Sequence, residues 1–173
     1  NLMIEEINNE TLKDSISQNI SEMNIMLNHY LDFIKNERNE NLDPINTNEF
    51  ISNIVKNYSK IQILKNNKNQ IFIRKNQITR AIMNILDNSD KFADKIFISS
   101  KVFNNKWVIE IEDNGPGTTL SQEQLIRPFV KGSDQLNQGT GLGLSIVQKL
   151  IKLNNGELSF QESSYGGLNV SVE

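Results

Sequence analysis

The chain has 173 residues, 37% of them hydrophobic and 23% charged, and a formal net charge of −3. That is enough for one domain of ordinary size with a small appendage. It contains no apolar run long enough to cross a bilayer, its charge gives no footprint for nucleic acid, and the lack of cysteine excludes a disulfide framework or a thiolate metal site.

The chain begins at Asn1 with no secretory leader, which predicts a piece of a longer protein. From Leu12 the apolar residues Ile16, Ile20, Met23, Leu27, Tyr30 and Ile34 recur at steps of four and three, the seam of a helix running to about Arg38. Such a stripe needs a partner. Residues 1–7 read as the tail of another helix joined through Asn8-Asn9, so the expectation is a helical hairpin that pairs with a second copy as a four-helix bundle. The alternative is a helix packed on its own domain.

Pro44 forbids helix at the residue before it, which sets a boundary between residues 1–40 and 41–173. Asn46-x-x-Glu49 predicts a capped helix through about Tyr58. Residues 61–65 and 70–73 are short β-like runs, and residues 76–92 carry a helical pattern. Residues 95–103 and 106–112 alternate around Asn104-Asn105, which reads as a hairpin. Trp107 shares a face there with Ile109 and Ile111 and is assigned to the core. After Asp113 a long polar stretch runs to Gln138 with one helical piece near residues 122–126. Loops of that length inside a domain are usually lids or binding loops. A helix over 141–153 and strands over 156–163 and 167–172 close the chain.

Three constellations carry chemistry. In Gly139-Thr140-Gly141-Leu142-Gly143-Leu144, glycines at every second position lead straight into a helix. Backbone N–H groups at such a helix start can hold a phosphate chain, although a glycine-rich turn before an ordinary helix would read the same way. On the 76–92 helix, Asn84, Asp87, Asn88 and Lys91 share one sector, about 120° from the packing sector of Ile78, Ile82, Ile85, Ser89 and Phe92. Carboxamide oxygens are hard neutral ligands that suit Mg²⁺ when phosphates supply the charge; the competing reading is a solvated asparagine face. Asp113 with Gly115 and Gly117 can accept a hydrogen bond from the exocyclic amine of a flat base, or be a plain turn after a strand.

In this order and spacing the three resemble the catalytic ATP-binding domain of sensor histidine kinases, the Bergerat-fold ATPases. Arg127-Pro128-Phe129-Val130-Lys131-Gly132 matches the family's phenylalanine box, and residues 10–38 look like the second helix of its dimerisation and phosphotransfer hairpin. Taken whole, the chain is similar to the EnvZ-type osmosensor kinases. The resemblance implies an α+β fold, a two-layer α/β sandwich whose mixed sheet is covered by about three helices, preceded by the long hairpin helix. It also implies ATP and Mg²⁺ as ligands.

Carried over by position, Asn84 and Asn88 would hold Mg²⁺, Lys91 would touch phosphate, and Phe92 would stand where the family often has a tyrosine. Asp113 would bind the adenine amine, with Gly115 and Gly117 shaping its pocket. Gly139, Thr140, Gly141, Leu142, Gly143 and Leu144 would line the phosphate path, and Phe129 and Lys131 would belong to an ATP lid at about 118–138. The implied partners are a response regulator and a second copy of the chain, with no nucleic acid. The implied setting is the cytoplasmic portion of a bacterial inner-membrane sensor.

Three departures stand out. Phe92 in place of a tyrosine loses a hydroxyl contact while stacking remains open to it. Asp90 precedes Lys91, placing an acid beside the phosphate-binding base. The histidine-acidic acceptor pair is missing, because the single histidine, His29, is followed by Tyr30 and Leu31. The chain is therefore expected to bind ATP without autophosphorylating. The competing functions are a degenerate ATP sensor or scaffold, and another Bergerat-fold ATPase or serine kinase.

Overall fold

The computed structural model describes residues 13, 14, 16, 17, 20, 21, 40–104, 106–131 and 140–173. The chain falls into two units, Asn1–Glu40 and Asn41–Glu173. In the first, residues 13, 14, 16, 17, 20 and 21 are helical, and Ile16 and Ile20, one turn apart, are about half exposed. Leu12, Met23, Leu27, Tyr30, Ile34 and His29 lie outside the described residues, as does the segment 1–7.

The second unit opens with a short strand, β1 (Asp43–Asn46), which the sequence pattern did not announce. Asn46 then caps helix α1 (Thr47–Val55), its side-chain oxygen accepting from the Asn48 and Glu49 N–H groups. This helix stops three residues before Tyr58, whose N–H bonds back to the Val55 carbonyl. The two β-like runs that follow enter different sheets. Strand β2 (Ile61–Asn66) lies parallel to β4 (Ile96–Phe103), whereas β3 (Gln70–Ile73) pairs antiparallel with β1. Thr47 ties them together by donating to the Asn67 carbonyl at 2.6 Å.

Helix α2 (Lys75–Phe92) leads into β4 and its hairpin partner β5 (Lys106–Asp113), with Asn104 at positive φ in the turn. A short helix α3 (Gln122–Leu125) begins with a reciprocal Ser121–Gln124 capping box. Helix α4 (Gly143–Leu153) and strands β6 (Leu158–Glu162) and β7 (Leu168–Val172) finish the chain. The main sheet runs β2-β4-β5-β7-β6, antiparallel except at β2/β4.

Alternation along β4, β5 and β7 sends Ile96, Ile98, Ile109, Ile111 and Val170 to one face, where they meet Ile82, Ile85 and Leu86 of α2 and Val147, Leu150 and Ile151 of α4 in a fully enclosed core. Helices α2 and α4 lie against each other over this layer. The other face carries Ser99, Glu110, Glu112, Asn169 and Ser171, with Phe103 largely exposed at the end of β4, and there Phe97 is covered by the stacked ring of Tyr165. The result is the expected α+β arrangement of a mixed sheet covered by helices on one side. Trp107 shares the core face but is only half-buried at its end, edge-on to Phe50 with its indole N–H on Ser100 Oγ.

Candidate functional site

Helix α2 brings the dispersed motifs together. Its Asn84 is half-buried, and its side-chain Nδ2 donates to the Arg80 carbonyl at 2.8 Å, which leaves the carboxamide oxygen directed away from the helix. That oxygen lies 3.5 Å from where a Cβ on Gly143 would sit, at the first residue of α4. Among the described residues no side chain caps the start of α4, where an α-helix leaves its first N–H groups without partners inside the helix. Asn88 is half-buried one turn beyond Asn84, and Lys91 is exposed. Asp90, the acid beside Lys91, is turned the other way, 3.5 Å from the Lys60 ammonium, which also donates to the Asp90 and Ala93 carbonyls. Lys91 has no carboxylate partner among the described residues. Asp87 accepts from the Tyr58 hydroxyl at 2.6 Å.

Asp113 ends β5 and is 5% exposed. Its Oδ1 accepts from the N–H groups of Gly115 and Leu168 at 3.0 and 3.1 Å, and its Oδ2 from the buried Ser89 hydroxyl of α2 at 2.9 Å. A buried carboxylate is tolerated when donors replace its water, and three do so here. Gly115 is required by close approach, because a Cβ there would lie 2.9 Å from the Phe92 carbonyl oxygen. The half-buried Phe92 thus meets Gly115 through its backbone. Gly117 holds φ +68°.

Gly141 also has positive φ, and a Cβ on it would strike the Phe129 backbone at 2.9 Å. The Phe129 N–H donates to the Gly141 carbonyl, with Phe129 itself at φ +66° and its ring 63% exposed. The phenylalanine segment and the glycine segment are therefore clipped together by backbone. Thr140 Oγ1 accepts from the Leu142 N–H; Leu142 and Leu144 flank the helix start, and Lys131 is half-buried beside the clip. Gly139 and the part of the lid from 132 to 138 lie outside the described residues.

Three participants were missed by reading the sequence: Ser89, which reads only as a packing residue, Gly167 and Glu112. Gly167 sits so close to Asp113 that a Cβ would fall 2.5 Å from the Asp113 carbonyl oxygen and 2.6 Å from the Gly115 nitrogen. The adjacent Gly166-Gly167 pair between two strands was the available signal. Glu112 accepts from Ser163 and Ser164, tying down the turn that carries these glycines. A cleft of about 410 Å³ between residues 116–125 and β6–β7 borders Gly117 and Gly167 but is not lined by Asn84, Asn88 or Asp113. The side chains that converge on Asp113 and on the start of α4 mark the site better than this cleft does.

The donor set fits a hard cation only if a ligand completes it. Among the described residues no cluster of three histidine, cysteine or acidic side chains could cage a metal. Asn84 offers a neutral oxygen already oriented beside an anion-attracting helix start.

Residues 73–173 match the family of histidine kinase-, DNA gyrase B- and HSP90-like ATPases. The sensor histidine kinase GtrS of Pseudomonas aeruginosa is 26% identical over 99% of this chain and 37% of its own length, so the chain spans little more than a third of that relative. The fold is similar to that of the Acinetobacter baumannii histidine kinase AdeS, with TM-score 0.67 and 18% identity over 90% of this chain and 81% of that one. It is also similar to the histidine kinase domain of the Escherichia coli osmosensor EnvZ, with TM-score 0.57 and 28% identity over 78% of this chain and 89% of that one.

Proposed function

The chain belongs to the histidine kinase-, DNA gyrase B- and HSP90-like ATPase family and is the ATP-binding catalytic part of a two-component histidine kinase; from that premise we propose how its residues bind the nucleotide and what the whole protein does. The observation that carries the reading is that α2 reaches both ends of one site, with Ser89 on Asp113 and Asn84 at the start of α4. The two side chains are five residues apart, about 7.5 Å of helical rise.

In this reading the adenine amine donates to Asp113 beside Gly115 and Gly117. Asn84 and Asn88 hold Mg²⁺, and Lys91, freed from Asp90 by Lys60, meets phosphate oxygens. Gly139, Gly141 and Gly143, with Thr140, Leu142 and Leu144 between them, line the phosphate path. Phe129 and Lys131 move with the lid, and Phe92 walls the base. Bound Mg²⁺ would neutralise charge on the phosphates. The chain's own contribution is to fix the base, aim the phosphate chain along the α4 start and exclude water, so catalysis is positioning and electrostatics.

The whole protein is proposed to be an EnvZ-type sensor anchored in a bacterial inner membrane and dimeric through its hairpin helices. In it an acceptor imidazole nitrogen attacks the γ-phosphorus, the bond to the β-phosphate oxygen breaks, and ADP leaves. The phosphoryl group then passes to an aspartate of a response regulator. Among the described residues no helix is long and apolar enough to cross a membrane.

Calorimetric titration with ATP and GTP, each with and without Mg²⁺, tests the site. ATP should bind at least roughly tenfold more tightly than GTP, because guanine places an acceptor where Asp113 needs a donor, and Mg²⁺ should strengthen binding. Equal affinity for the two nucleotides would remove Asp113 from its role; indifference to Mg²⁺ would remove Asn84 and Asn88 from theirs.

A further inference from the structure

We infer that Ser89 is a specificity-determining positioning residue, whose hydroxyl sets the Asp113 carboxylate so that one acceptor position is left for a single N–H donor on the base. The inference rests on the reading of this site as an ATP site and concerns a residue, between Asn88 and Lys91, to which that reading gives no role. Ser89 lies in the packing sector of α2 and is 2% exposed. Serine is a mediocre helix former, and when buried in a helix it commonly bonds the carbonyl one turn back. Here the hydroxyl instead reaches across to Asp113 Oδ2, 24 residues away in sequence, and the Ser89 carbonyl is taken by the Ala93 N–H.

Counting acceptors shows what the bond does. An ionised carboxylate has about four lone-pair sites. Gly115 and Leu168 occupy both on Oδ1, and Ser89 occupies one on Oδ2. One remains. A group presenting one outward N–H, such as the exocyclic amine of adenine, satisfies it, whereas a carbonyl in the same place meets only lone pairs. The two backbone donors hold Oδ1, and because the carboxylate is planar and rigid they orient Oδ2 with it. Ser89 adds a third anchor from α2, on Oδ2 itself, and takes one of its two acceptor positions. Without the hydroxyl, Oδ2 would have two open positions, and a water could satisfy it as well as the base.

The test separates this positioning from simple packing by using a nucleotide that lacks the amine. Wild-type protein and Ser89→Ala are titrated with Mg·ATP and with the Mg²⁺ complex of purine riboside 5′-triphosphate, which keeps the ring, ribose and phosphates. Ser89→Ala should weaken ATP on the order of tenfold, the scale of one charge-assisted hydrogen bond, and leave the amine-free nucleotide within about twofold. Ser89→Cys, similar in size with a weaker donor, should fall between, and supplies the measurement if the alanine variant does not fold. Equal weakening of both nucleotides, or none, would overturn the role of Ser89 while the ATP site stands. A wild type that binds ATP no better than the amine-free analogue would overturn the role of Asp113 and this inference with it.

Discussion

Asp113 takes its donors from three parts of the chain, 2, 24 and 55 residues away. An acid after a strand, followed by alternating glycines, is visible in the sequence because its neighbours are local. Ser89 reads as one more small residue in a packing sector, and Gly167 as turn punctuation, because their contact with Asp113 exists only once α2 and β7 flank β5. The atoms nearest a Gly167 Cβ are backbone and carboxylate, not the free end of a flexible side chain, so they cannot step aside. Gly167→Ala should therefore cost about 1–3 kcal/mol of stability, the usual range for overpacking, and lower ATP affinity at least roughly tenfold by displacing Asp113. Thermal denaturation and calorimetry read the two effects. Unaltered ATP affinity would mean that the close approach does not position the carboxylate.

The helix carrying the carboxamides is also held from outside the site, through Tyr58 in the connection after α1. Its hydroxyl donates to Asp87, and burial, that hydrogen bond and the charges of Asp87 and Asp90 push the phenol well above its ordinary value of 10.0. The folded state thus holds this proton more tightly than the unfolded chain does. Its contribution is whole below about pH 10 and declines as the pH rises further and the unfolded phenol ionises. Tyr58 is partly exposed, so we expect Tyr58→Phe to cost only about 0.5–1 kcal/mol at pH 7. Urea melts should show that difference unchanged from pH 7 to 9 and shrinking above pH 10; a difference constant to pH 11 would deny the bond any role. The same scale explains why α1 ends early and why the 61–65 and 70–73 runs part company. Propensity marks a strand but does not name its partner, and Thr47, bonded to the Asn67 carbonyl, helps fix the crossing between the two sheets.

For the whole molecule, the stripe through Ile16, Ile20, Met23, Leu27, Tyr30 and Ile34 calls for an apolar partner, and leaving it in water would forfeit several kcal/mol at roughly 25 cal/mol per Å². We predict that the chain self-associates through residues 10–38 and that Leu27→Glu abolishes association in sedimentation runs while ATP affinity stays within about twofold, since residues 1–40 and 41–173 are separate units. A wild type that is monomeric at high concentration with the helix formed would send the stripe to some other surface and end the dimer reading. By itself the sequence determined the positions of α2 and α4, the β4–β5 hairpin and the residue types at both ends of the site, because helix and strand periodicity, asparagine turns and glycine spacing act over a few residues. Only the tertiary structure decided that β2 joins β4 while β3 joins β1, that Lys60 draws Asp90 away from Lys91, that Phe129 is clipped to Gly141, and that Ser89 and Gly167 set Asp113. Each of those is a contact between segments far apart along the chain, and its energy depends on which layers face one another.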